Sequence, residues 1–131
     1  MKLFTTLLVF LLSVAALSCT DEAVDNADHA DCVRAKFIAN YCVSDKPLHL
    51  IQFLEPTDLA TAQKSQTSDS TFYLAAVLDL PDSVQKIGAV FYMKFHFDQD
   101  AENKYRPKIC QAVFSPVKIL VCDSVSSQFC Q

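Results

Sequence analysis

Six cysteines stand in this 131-residue chain, and they are bunched toward its two ends: Cys19, Cys32 and Cys42 on one side, Cys110, Cys122 and Cys130 on the other. In an exported chain of this size, cysteines so numerous form a disulfide framework. Cys32 and Cys42 bracket one apparent strand, which would hold them about 30 Å apart, well past bridging distance. Bridges between the N-terminal and C-terminal groups are therefore expected. They would close loops of roughly 80–100 residues and stabilise by about 4 kcal/mol on the chain-entropy model. The candidates are Cys32, Cys42, Cys110, Cys122 and Cys130, with the pairing left open. If Cys19 is used elsewhere, five remain, and the expectation is two bridges and one buried or free thiol. No C-x2–4-C spacing occurs, so neither a zinc site nor any other metal centre is expected.

The N-terminus supplies the export route. Met1-Lys2 is a short positive region, and residues 3–17 are uncharged and rich in Leu, Val, Ala and Phe. A membrane-spanning helix needs about 20 such residues, so this stretch reads as a secretory signal peptide. Small residues at Ala16 and Ser18 suit cleavage just before Cys19. The same residues, Ala16-Leu17-Ser18-Cys19, are similar to a bacterial lipobox, in which the cysteine is acylated and becomes the mature N-terminus.

Residues 20–31 follow with five acids (Asp21, Glu22, Asp25, Asp28, Asp31), no Lys or Arg, and a single Val. They hold too little apolar surface to offset the entropy of ordering and read as a disordered acidic linker. The expected organisation is thus a lipoprotein signal peptide over 1–18, a lipidated Cys19 with an acidic tether over 19–31, and one domain over 32–131. Two or more buried acyl chains give stable anchoring at about 0.8 kcal/mol per methylene. The formal charge is −4, but residues 32–131 contain ten acids and ten Lys or Arg. A balanced domain without a basic cluster excludes a nucleic-acid partner.

Within the domain, apolar alternation marks strands at 33–42, 48–54 and 89–97, and β-propensity marks a buried strand at 71–80. Residues 55–70 are polar and read as a long loop, with one helical turn after Thr57. Pro81 suits the first position of a short helical turn, and Gly88, the only glycine, suits the left-handed residue that ends one. Residues 98–108 read as a charged loop, and 109–114 and 117–125 as two closing β segments. The fold class is all-β: a small five- to six-stranded OB-like barrel with one short helical turn.

Two motif groups, Cys32-Val-Arg-Ala-Lys-Phe-Ile-Ala-Asn-Tyr-Cys42 and Leu80-Pro81-Asp82-Ser83 followed by the Gly88-led strand, stand behind an acidic segment that begins Thr20-Asp21-Glu22. In this the chain resembles a group of small Bacteroidota lipoproteins with OB-like domains. The resemblance covers most of residues 32–125 and departs at Ala35, where the pattern has Gly. It implies an outer-membrane lipoprotein, in bacteria where such an acidic stretch directs surface exposure. It brings no activity and no catalytic residue.

Candidate chemistry is sparse. His29 lies in the tether, while His49 and His96 alternate in strands and are expected on the solvated face. Asp98, Asp100 and Glu102 read as a solvated acidic turn, without the glycine or ligand number of a calcium loop. No cofactor is expected, and no catalytic cluster. Tyr73, Tyr92 and Tyr105 are the candidate binding face, since OB-like barrels present aromatic platforms to ligands. With few cations around them, the expected partner is a glycan, peptide or protein. The reading is a lipid-anchored, non-enzymatic binding or scaffold module of the bacterial envelope. The alternative is a secreted, disulfide-stabilised protease inhibitor of cystatin-like type, for which Phe114-Ser115-Pro116 is the faint signal.

Overall fold

A computed structural model describes residues 32–110 and 116–130. Cys19, His29 and the leader and tether segments lie outside these residues, as do residues 111–114 of the expected strand at 109–114. Phe114 and Ser115 lie outside them too.

Six strands form: β1 (Val33–Asn40), β2 (His49–Phe53), β3 (Thr61–Lys64), β4 (Thr71–Leu78), β5 (Val90–His96) and β6 (Lys118–Ser126). The sheet order is β2-β1-β5-β6-β4-β3, and a β2–β4 pairing closes five of the strands into a ring. All pairings are antiparallel except β4 with β6. This is the small all-β barrel expected from the sequence, with OB-like closure.

The barrel core comes from one face of each strand. Ala35 and Phe37 of β1, Ile51 and Phe53 of β2, Ala75 and Val77 of β4, Phe91, Met93 and Phe95 of β5, and Leu120 and Cys122 of β6 are buried together. The Phe53 and Phe95 rings meet at 5.1 Å with a 38° tilt. Ala35 is fully enclosed. The bend of β1 falls further along, where the register shifts between Phe37 and Ala39 and Ile38 is the extra residue of a β-bulge.

β4 explains why one strand is apolar on both faces. Ala75 and Val77 point into the barrel, while Leu74, Ala76 and Leu78 join Leu48, Leu50, Val117 and Ile119 in a second cluster outside it. That outer cluster is covered by a helix, α1 (Gln99–Tyr105), through Ala101 and Tyr105.

α1 corrects the expectation of a charged loop at 98–108. Asp98 caps it, accepting hydrogen bonds from the N–H groups of Asp100 at 2.9 Å and Ala101 at 3.1 Å. Acidic Asp100 and Glu102 stand in the first turn and Lys104 in the last, as the helix dipole favours. Glu102 is buried and paired with Arg106 one turn on, so it is not part of a solvated acidic turn. Seven residues are too few for an independent helix; its apolar side chains on the outer cluster hold it.

β3 is the second correction. Thr61-Ala-Gln-Lys64 lies inside the stretch read as a loop, and it pairs with the first half of β4. The second half of β4 pairs with β6 on the same side. Tertiary pairing creates this strand, which has no apolar alternation of its own. The turn after Thr57 is present, with the Leu59 N–H donating to Thr57 Oγ1 at 3.3 Å.

The Asp82–Val84 turn is a short 3-10 helix preceded by Pro81. Gly88 has φ 81°, but it serves the tight turn after that helix and not its end. Its N–H donates to the Phe37 carbonyl at 2.9 Å, and the Ala89 N–H reaches back to Lys86 at 2.8 Å. Ile109 and Cys110 are not in a strand.

Two disulfides tie the ends of the domain, Cys32–Cys130 and Cys42–Cys110, with Cα separations of 5.5 and 5.1 Å. Each joins the N-terminal group to the C-terminal one. Among the described residues Cys122 is the free thiol, buried in the barrel. Such bridges belong to a domain on the oxidising, extracellular or envelope side of a membrane. Among the described residues no helix is long and apolar enough to cross a membrane.

Candidate functional site

The outer face of β1, β2 and β4 carries a groove of about 330 Å³. Outward-facing positions in a sheet alternate with core positions, so its floor is written into the same strands that build the barrel. Leu50 and Gln52 of β2 lie opposite Ala76 and Leu74 of β4. Leu74, Phe72 and the bulge residue Ile38 complete the apolar floor. Phe72, 38% exposed, leaves part of its ring open to solvent.

The rim is polar. Gln52 stands on the floor's edge, and β3 adds Gln63 and Lys64, with Ser65 and Gln66 just beyond. Ser65 donates its N–H to the Ser70 carbonyl at 2.9 Å, and the Thr67 N–H reaches Ser65 Oγ at 3.2 Å, so the rim loop is folded back on itself. An apolar floor with one partly open aromatic ring and several amide side chains can hold an extended ligand by stacking and by paired amide hydrogen bonds.

The three tyrosines singled out in the sequence occupy three different surroundings. Tyr73 leans on the barrel core. Tyr92, opposite Arg34 and Ser126 across the sheet, meets Phe129 edge-on at 5.7 Å between ring centroids. Tyr105 packs on the outer cluster from α1, with Lys104 Nζ 5.1 Å and Lys46 Nζ 5.9 Å from its ring centre.

The histidines also separate. His96 is partly exposed and pairs through Nδ1 with Asp123 at 2.8 Å. His49 departs from the expected solvated face: only 7% exposed, it closes one end of the barrel against Phe37, with ring centroids 6.1 Å apart. Burial lowers its pKa below 6.5, an effect that the Asp82 charge partly offsets. Among the described residues no three His, Cys, Asp or Glu groups converge as a metal site. Burial among apolar side chains, with Asp123 and Asp79 adding to it, pushes the Cys122 thiol up to about 11. It is inert packing, the opposite of an activated nucleophile.

None of the three tyrosines lines the groove. Its floor residues read as ordinary strand hydrophobics, and its rim strand β3 had no signal of its own. The legible sign was Phe72, an aromatic ring at a position whose alternation with the inward-facing Tyr73-Ala75-Val77 face points outward. No protein-family model matches this chain, and no curated protein or solved structure matches it either.

Proposed function

We propose that this chain is a lipid-anchored, non-enzymatic binding module of the bacterial envelope, held to the outer membrane through Cys19 and taking an extended glycan in the groove over β2 and β4. The observation that carries the ligand reading is the groove floor, where the partly exposed Phe72 ring lies among Gln52, Gln63 and Gln66. A pyranose ring offers an apolar face to stack and hydroxyls that pair with amides, which is the chemistry this surface provides. Two disulfides support the exported setting, and the Ala16-Leu17-Ser18-Cys19 sequence supports the anchor.

The test is binding of the full chain to an oligosaccharide panel and to a panel of extended peptides, repeated with Phe72→Ala. A glycan ligand that loses about tenfold or more in affinity with Phe72→Ala is the expected result. Ligands bound equally by both proteins would refute the groove, and a peptide preference would replace the glycan. Intact mass of the membrane-extracted protein tests the anchor: the expected N-terminus is an acylated Cys19, and a free Cys19 would refute it.

A further inference from the structure

The opposite kind of site lies at the end of the barrel that His49 closes. A cavity of about 250 Å³ opens there, bounded by the loop between β1 and β2 and by the chain leaving β4. At about 30 Å³ per water-sized atom group it has room for roughly eight non-hydrogen atoms. We propose that this barrel mouth is a binding site for a small primary-amine cation. The inference stands apart from the groove, with which the mouth shares no lining residue.

The wall is rich in acceptors. His49 is more than nine-tenths buried, and its Nδ1 lies 3.2 Å from Asn40 Oδ1. An amide oxygen only accepts, so Nδ1 carries the proton and Nε2 presents a lone pair. Among the described residues no sealed side-chain nitrogen is left without a partner. The Nε2 of His49, whose protein hydrogen bond is made through Nδ1, is therefore not sealed from solvent, and His49 lines the cavity.

Gln85 spends its Nε2 on the Leu80 carbonyl at 2.6 Å, which leaves its Oε1 as an acceptor. Asp82 stands on the same wall, close enough for its charge to act on His49. Among the described residues of the wall Lys46 is the one cation, and Asp79 takes it up at 2.6 and 2.7 Å through its two oxygens. Asp79 holds a left-handed backbone, φ 58°. With Lys46 neutralised and His49 uncharged, Asp82 leaves the mouth with one net negative charge. Imidazole nitrogen, carboxylate and amide oxygen are three acceptors, matching the three N–H donors of an alkylammonium. Pro47 and Leu80 supply apolar wall for the alkyl part.

Three probes of similar size separate the sources of affinity: n-butylammonium has charge and N–H donors, n-butanol only a hydroxyl, and tetramethylammonium charge without donors. Each is titrated into the isotope-labelled full chain, with the backbone amide signals of Lys46, Leu48, His49, Asp79, Leu80 and residues 82–85 followed by NMR. The expected result is saturable shifts with n-butylammonium and at least about tenfold weaker binding of the other two. Asp82→Asn, an exposed change that leaves the urea midpoint in place, should weaken n-butylammonium about tenfold. Asp69→Asn, exposed beyond the opposite end of β4, should leave it unchanged. Equal binding of n-butanol would make this a hydroxyl site and overturn the proposal. So would tetramethylammonium binding as well as n-butylammonium, unaltered binding by Asp82→Asn, or no shifts at about 50 mM probe.

Discussion

Replacing Cys32 and Cys130 together by serine removes the longer staple while keeping side-chain volume nearly constant. Cys32 immediately precedes β1 and Cys130 follows β6, and those strands flank β5 in the ring. The bridge thus ties the two ends of the domain across one intervening strand. Its sequence separation is 98, for which the loss of loop-closure entropy in the unfolded chain is worth about 4.7 kcal/mol. The Cys42–Cys110 bridge spans 68, and because the dependence is logarithmic its value is only about 0.3 kcal/mol smaller. The whole domain is expected to be stable by about 5–15 kcal/mol, so either loss is a large fraction of it. With a urea slope of about 1.5 kcal/mol per molar, each double variant should lower the unfolding midpoint by about 3 M. The chain has no Trp, so far-UV circular dichroism of the full chain is the readout. A drop of less than about 1 kcal/mol for either pair would refute the entropic reasoning. A large inequality between the two pairs would refute it as well, since it would mean that native contacts around one bridge dominate.

Two further outcomes follow from titratable groups in the barrel. The Cys122 thiol, pushed up to about 11 in the core, should resist iodoacetamide at pH 8 in the native protein and react in urea, as read by peptide mass mapping; native labelling at Cys122 would contradict its burial. His49 has a folded-state pKa below its ordinary 6.5 because burial penalises the imidazolium. The unfolded chain therefore binds more protons in that range, and stability present above pH 6.5 falls as the pH drops toward the folded-state value. Urea midpoints measured from pH 7.5 down to 5 should show this decline in the wild type and a shallower one in His49→Gln; identical slopes would refute it.

Much of the architecture was legible because alternation and burial are local codes. Phe91, Met93 and Phe95 had to share a face, and so did Ala35 and Phe37; both sets are in the barrel core. Cysteine positions favoured bridges between the two ends of the domain, and a leftover thiol followed only with Cys19 set aside; they could not choose Cys130 over Cys122 as the partner of Cys32. The α1 signals were also present in residues 98–107: a capping Asp98, early acids, a late Lys104 and Pro107 just after the helix. Their charge hid them, since nothing local reveals that Ala101 and Tyr105 would find an apolar surface to cover.

What lay beyond the sequence arose from contacts between distant segments. Thr61-Ala-Gln-Lys64 is a strand because the first half of β4 offers it an edge, so its conformation is owed to residues ten positions away. His49 is enclosed because ring closure between β2 and β4 brings Val77 opposite it, and period-two patterning cannot report which end of a barrel a residue will plug. The groove and the mouth are concavities, made where strands from separate parts of the chain meet at an angle. Local propensity acts over a few neighbours along the backbone, whereas a cavity is a property of surfaces that become neighbours only after folding.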